Sequence, residues 1–182
     1  MAKRAQDLYF LAVIPDDAIC KEVMQFKQDV SDKFNSKAAL KSPPHITLHM
    51  PFKWRADREK KLLDTLSEFS FKGYPFPVQL DGFGFFEPRV VFVNVEKSDA
   101  LTQLQVQLSQ FIRRELKILN AEYKNRGFHP HMTIAFRDLK KAVFPVAKSH
   151  YESKDFQQSF EANCFWLLKH DGIKWHTYKK FS

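Results

Sequence analysis

The chain has 182 residues, 44% of them apolar, enough for one domain or two small lobes sharing a core. Lys and Arg number 29 against 21 Asp and Glu, and the net charge of +8 favours anionic partners, although basicity alone selects no ligand. Cys20 and Cys164 are too few for a disulfide scaffold and form no C-x-x-C, and no apolar run approaches the ~18 residues of a membrane span.

In chain order, the apolar run over residues 8–14 reads as a buried first strand bounded by Pro15. Lys3 and Arg4 before it imitate a signal peptide, but Pro15, Asp16 and Asp17 occupy the place of a small-residue cleavage site, so a cytoplasmic protein is expected. Asp16 or Asp17 can cap a helix whose Ile19, Val23, Phe26, Val30 and Phe34 form one apolar stripe. Pro43 and Pro44 forbid helix before "HITLHM", whose alternation has the period of a strand. A short helix carries Leu62, Leu63, Leu66 and Phe69. Two strands, "YPFPVQLDGFGFF" and "RVVFVNVE", meet at the turn Glu87-Pro88. Ser98 caps a helix with Leu101, Leu104, Leu108, Phe111 and Ile112 on one face, ending before a loop around Asn125-Arg126-Gly127. "HPHMTIAF" is the next strand. "FEANCFWLLKH" and "IKWHTYKKF" flank Asp171-Gly172, a hairpin signal, and close the chain. The order β-α-β-α-β-β-α-β-β-β mixes hairpins with crossovers and predicts an α+β fold, one domain over residues 1–182. Neither a Gly-rich phosphate loop nor a low-complexity segment is present.

The only internal repeat is chemical. "PPHITLHM" and "HPHMTIAF" both carry His-apolar-Thr-apolar after a proline, each behind a long helix, which suggests two similar lobes. Side chains two apart on a strand share a face, so His45 with Thr47 and His131 with Thr133 each offer an imidazole and a hydroxyl to one space. Two imidazoles with pKa ~6.5 can divide the work of phosphodiester cleavage, one accepting a proton and one donating. The threonines would donate to the non-bridging oxygens. A lone H-x-T arises often by chance, but two copies in matched contexts do not dismiss so easily.

These segments resemble the paired H-x-[ST]-x motifs of the two-histidine phosphoesterase superfamily, which includes the RNA 2′,3′-cyclic phosphodiesterases also known as 2′-5′ RNA ligases. "LYFLAVIPDD", "GFGFFEPRVVFVNVE" and the terminal hairpin are similar to that family's first strand, central hairpin and last hairpin. The resemblance implies a bilobal, pseudo-symmetric α+β fold, with antiparallel sheets lining a central cleft and helices outside. It implies metal-free opening of cyclic phosphates at RNA ends or on small nucleotides, with reverse ligation as a further capacity, and no cofactor. By position, His45 and His131 would be acid and base, and Thr47 and Thr133 phosphate donors. Many members carry an arginine five residues after the second histidine; here Phe136 stands there and Arg137 follows. Arg137 is expected to reach the phosphate if the strand stays regular. Family position places Phe10, Phe83, Phe85 and Phe128 near the cleft as base-stacking candidates, with Trp175 and Tyr178 weaker ones. His49 and His129 share the faces of the motif histidines on ideal strands, which opens a rival reading of four histidines around zinc. His49 is expected at the cleft rim and His129 in a loop. An RNA-binding module without turnover is the other alternative, and a monomer is expected.

Overall fold

Two four-stranded antiparallel sheets frame the computed structural model, which describes residues 5–119 and 127–182. The first sheet contains β1 (Gln6–Val13), β2 (Ile46–Arg55), β7 (Phe165–His170) and β8 (Trp175–Phe181) in the order β2-β1-β7-β8. The second contains β3 (Phe76–Phe86), β4 (Val90–Val95), β5 (His131–Ala135) and β6 (Gln157–Ala162) in the order β5-β4-β3-β6. The expected pseudo-symmetry is plain in the chain path. β1 leads through α1 (Asp17–Phe34) to the antiparallel edge strand β2, and β4 leads through α3 (Asp99–Leu116) to the antiparallel edge strand β5. The His-Thr segments thus occupy equivalent edges of two sheets.

The long helices form where the sequence places them. Asp16 accepts a hydrogen bond from the Ile19 amide at 3.0 Å and Ser98 one from Leu101 at 3.2 Å, each satisfying an amide the first turn leaves unpaired. Ile19, Val23 and Val30 on α1, and Leu101, Leu104, Leu108 and Ile112 on α3, are buried; each such side chain contributes about 1.5–3 kcal/mol. The helices cross over. α1 lies on the second sheet, where Phe26 meets Phe83, Phe156 and Tyr151, whereas α3 lies on β2, where Gln105 donates to the Leu48 carbonyl. The short α2 (Glu59–Ser67) buries Leu62 and Leu66.

Two expectations require correction, and a third falls outside the described residues. A helix the sequence did not announce, α4 (Phe144–Glu152), follows β5 and buries Phe144, Ala147 and Tyr151. "FEANCFWLLKH" is two strands rather than one, since the chain breaks at Asn163 and Cys164 and passes from the second sheet into the first. The loop expected around residues 125–127 lies outside the described residues except for Gly127.

Candidate active site

His45 directly precedes β2 and His131 opens β5. In each motif the residue before the proline is driven towards extended backbone. The carbonyl two residues ahead of each imidazole is then taken up by its ring. His45 Nδ1 lies 2.7 Å from the Pro43 oxygen and His131 Nδ1 lies 2.8 Å from the His129 oxygen. A carbonyl only accepts, so both Nδ1 atoms carry the proton and both Nε2 atoms hold the lone pair. The two rings are chemically matched, half-buried and oriented by the same device.

Strand pairing shows what surrounds them. In the first sheet Thr47 lies opposite Ala12, Ala12 opposite Trp166, and Trp166 opposite Lys180, so these four share one face. Phe10, Ala12 and Leu168 form a small apolar cluster on that face, separate from the main core and joined by Trp166 and Trp175. The Phe10 ring is 4.7 Å from His45 and 4.5 Å from Trp175. The second sheet repeats this with other residues. Thr133 lies opposite Phe92, Phe92 opposite Gly84, and Asn94 opposite His131. The Phe92 and Phe86 rings stand 5.0 Å and 5.1 Å from His131 and 4.5 Å from one another. His45 therefore rests against one ring of an aromatic pair, and His131 against both rings of another.

Burial lowers the pKa of both imidazoles. Desolvation is the main cause for His45, reinforced by the Lys27 ammonium and by His131 and opposed by the Pro43 hydrogen bond. For His131 desolvation again leads, opposed by the His129 carbonyl, while the His129 ring lowers it further. Both are neutral in the free protein near pH 7. An anion held between them would favour protonation of one.

Of the remaining expected site residues, Phe10 lies against a motif histidine. Phe83 pairs with Val93, itself opposite Met132, and packs on Phe26 and Tyr151 at the core face, 5.0 Å and 4.9 Å away. Phe85 shares that face, beside Phe144 and Lys148. Phe128 is partly buried against the main core. β5 ends at Ala135, so the alternation expected to carry Arg137 to the His131 face stops short of it. Arg137 sits in the following turn with φ 29°, exposed, its guanidinium 5.1 Å over the Phe136 ring and its carbonyl accepting from Arg89. Trp175 does join the His45 cluster, whereas Tyr178 donates to Glu59 away from it. Phe86, Phe92, Asn94 and Trp166 were not foreseen, although the alternation of Val91, Val93 and Val95 already marks Phe92 and Asn94 as the opposite face of β4.

His49 does not stand at the cleft rim. A bulge between Thr47 and His49 breaks the alternation and turns the second histidine inward, 1% exposed, against Phe52 at 5.5 Å. His129 is in the loop before β5, as expected, with its ring 6.1 Å from that of His131. Among the described residues no three His, Cys, Asp or Glu side chains converge as a metal ion requires, and the burial of His49 separates it from the set a zinc site would need.

Two antiparallel sheets thus present a pair of tautomer-fixed histidines, each with a threonine beside it. A family model described as the 2′-5′ RNA ligase superfamily matches residues 15–174, and the chain belongs to that family. It is 29% identical over 164 residues to a Geobacillus kaustophilus protein named "Putative phosphoesterase", covering 88% of this chain and 90% of that one. A Bacillus mycoides protein of the same name is 31% identical over 129 residues, 69% of this chain and 70% of its own. Among solved structures, Escherichia coli LigT complexed with 3′-AMP aligns with TM-score 0.69 at 21% identity, over 97% of this chain and 98% of that one. The Thermus thermophilus protein TT0787 aligns with TM-score 0.66 at 19% identity, over 96% and 97%. The likeness to these structures is one of fold.

Proposed function

We propose that the protein is a metal-independent phosphodiesterase that opens 2′,3′-cyclic phosphates at RNA ends or on small nucleotides. The observation that carries this reading is the matched pair of Nε2 atoms, each freed by an Nδ1–H bond to a carbonyl, each with a threonine on its own strand. In the forward reaction a water oxygen attacks phosphorus while one Nε2 accepts its proton. The bond from phosphorus to one ribose oxygen breaks, and that oxygen takes a proton from the other imidazole, now an imidazolium. One water is consumed, one phosphomonoester and one hydroxyl form, and the histidines exchange protonation states. Thr47 and Thr133 donate to the non-bridging oxygens as charge grows on them. Each histidine supplies ~10²–10⁴ in rate. Ligation to a 2′-5′ bond is the same path reversed, and bulk water favours opening.

The aromatic faces supply binding. A base stacked on Trp175 or Trp166 of the first sheet, or on Phe86 of the second, gains ~1–3 kcal/mol with little dependence on base identity. Lys180, whose Nζ lies 6.0 Å over the Trp166 ring, adds a cation for the adjoining phosphate. Exposed Arg137 is left for backbone beyond the scissile group, and Phe128 for packing behind it. That related LigT has been crystallised with 3′-AMP, ATP, NADP+ and phosphate supports nucleotide ligands here. The protein is proposed to act as a monomer, a single bilobal domain. Both cysteines are thiols, which suits the cytoplasm, and among the described residues no helix is long and apolar enough to cross a membrane.

The test is incubation with the four nucleoside 2′,3′-cyclic phosphates and a cyclic-phosphate-ended oligonucleotide in the presence of a chelator, with products separated and weighed. Ring-opened monophosphates that vanish in His45→Ala and His131→Ala are expected. Tight RNA binding that both variants retain, with no turnover at any pH, would make this a binding module. Activity lost on chelation and restored by zinc would overturn the metal-free mechanism.

A further inference from the structure

The faces that the two sheets turn to the motif residues differ in chemistry. The first carries aromatic rings and the Lys180 ammonium. On the second, the row that starts at His131 runs outward through polar side chains. Asn94 lies opposite His131, and Glu96, just past β4, continues the alternation of Phe92 and Asn94 on that face. The Glu96 amide donates to the Gln79 carbonyl at 2.9 Å, Gln79 pairs with Ser159, and Asp81 pairs with Gln157. Neighbouring strands stand ~4.8 Å apart, so Asp81 on β3 lies about 10 Å across the sheet from His131 on β5. Gln79, Asp81, Glu96, Gln157 and Ser159 line an open groove of about 440 Å³. Neither Lys nor Arg is among its lining residues, in a chain whose net charge is +8. Two carboxylates repel a phosphate, so the groove is made for another part of a ligand. Nor is it a cation site, because among the described residues no three His, Cys, Asp or Glu side chains converge. Among the described residues the one hydrogen bond between lining side chains runs from Gln157 Nε2 to Asp81 Oδ1 at 3.3 Å, longer than the usual ~2.7–3.2 Å. Amides and carboxylates are thus left to meet a ligand.

We propose that this groove reads the base edge of the nucleotide whose phosphate lies between the histidines, and that it selects guanine. The selection rests on the proposed phosphodiesterase reading, which makes the ligand a nucleotide. With its phosphate at His131, a nucleoside extends across the two strand spacings and brings the far edge of a purine over β3. Asp81 and Glu96 each offer a pair of acceptor oxygens there. Guanine presents N1–H and its 2-amino group side by side, two donors that one carboxylate accepts together. Adenine and cytosine set one amino group beside a bare ring nitrogen, a pattern that an amide of Gln79, Asn94 or Gln157 matches and a carboxylate does not. Uracil flanks its one N–H with a carbonyl on either side, so a carboxylate meets acceptors with acceptors. Guanine therefore ranks first and uracil last. Stacking on the aromatic face is tolerant of base identity, so discrimination falls to this edge.

The experiment is an NMR titration of the nitrogen-15-labelled protein with guanosine 3′-monophosphate and, separately, uridine 3′-monophosphate. It follows the side-chain amide signals of Gln79, Asn94 and Gln157 and the indole signals of Trp166 and Trp175. The guanosine nucleotide should move the three amides and bind on the order of ten-fold more tightly than the uridine nucleotide, as one matched base edge discriminates in a solvated groove. In hydrolysis, kcat/KM should be highest for guanosine 2′,3′-cyclic phosphate and lowest for the uridine compound. Asp81→Ala and Glu96→Ala, both at exposed positions, should each lower the guanosine-to-uridine ratio. Equal affinities, a first preference for another base, a ratio that neither variant changes, or indole shifts with the amides unmoved would each overturn the groove's role and leave the phosphodiesterase reading standing. Failure of both nucleotides to bind, with no turnover of any cyclic phosphate, would overturn the two together. The wild-type titration needs no variant to fold.

Discussion

Gly84 is the position at which one added methyl group should disable a remote histidine. A Cβ built there falls 2.3 Å and 2.5 Å from two carbons of the Phe92 ring and 2.4 Å from Asn94 Oδ1. Carbon atoms pack at about 3.5–4.0 Å, so in Gly84→Ala the ring must retreat by roughly 1 Å, and the Asn94 side chain with it. Phe92 cannot retreat freely, because Phe86 and His131 lie against it at 4.5 Å and 5.0 Å. Overpacking of this kind costs about 1–3 kcal/mol, and in a protein of this size that lowers Tm by roughly 2–12 °C. The displacement passes to His131, and a misplacement near 1 Å can cost ~10² in rate. Thermal melting, with kcat and KM on a nucleoside 2′,3′-cyclic phosphate, measures both. Gly84→Ala combined with Phe92→Leu should recover part of each loss, because the smaller side chain yields the space. A Tm within about 1 °C of wild type, with rate unchanged, would refute the claim that Gly84 exists to let Phe92 lie across β3.

Nitrogen-15 shifts should report both motif histidines of the free protein as Nδ1–H tautomers at pH 7.5; an Nε2–H signal for either would contradict its hydrogen bond to the preceding carbonyl. Because burial lowers both pKa values, the acid limb of kcat/KM should fall below ~6.5, while the limbs of kcat, which belong to the phosphate complex, should lie at higher pH; coincident profiles would exclude phosphate-coupled protonation. Stability carries the same sign: His45, His49 and His131 bind protons less readily folded than unfolded, so the urea midpoint should drop as pH falls from 7.5 through ~6.5 to 5.5. Lys27, lowered to about 7, should add stability as pH rises from 7 towards 10, and a flat urea midpoint over either window would contradict the linkage. Asp138 accepts from Ser36 Oγ and the amides of Lys37 and Ala38 at 2.6, 2.7 and 2.8 Å, so Asp138→Ala should cost about 1–3 kcal/mol in chemical denaturation.

What could be read from the sequence was whatever depends on near neighbours. The prolines before His45 and His131, the caps at Asp16 and Ser98 and the stripes of α1 and α3 are all local signals, and each fell where the pattern put it. The bulges were not local. Phe76, Val78 and Leu80 face the core, and strict alternation would send Phe83 and Phe85 to the cleft. Instead Leu80 and Phe83 oppose Val95 and Val93, an extra residue sits at Gly82 with φ 62°, and the phase of β3 reverses. The same kind of slip in β2 carries His49 inward. Nor does any residue in "FEANCFWLLKH" reveal that its two halves pair with different sheets, since the partners lie far away in sequence. α4 escaped because its short run is only weakly amphipathic and begins on Phe144-Pro145 without a polar cap.

The exchanged helices have a structural consequence for the pair of histidines. Because α1 covers the sheet that ends in β5, and α3 covers β2, each lobe is roofed by the other's helix, and neither half owns a complete interior. The lobes are clasped like crossed forearms, with the two-residue passage from β6 to β7 as a further stitch. Opening the cleft would mean prising Phe26 from Phe83 and Gln105 from β2, which breaks the main core rather than bending a hinge. The spacing of the two imidazoles is thus held by the same apolar contacts that fold the chain, and changes only if the core itself yields.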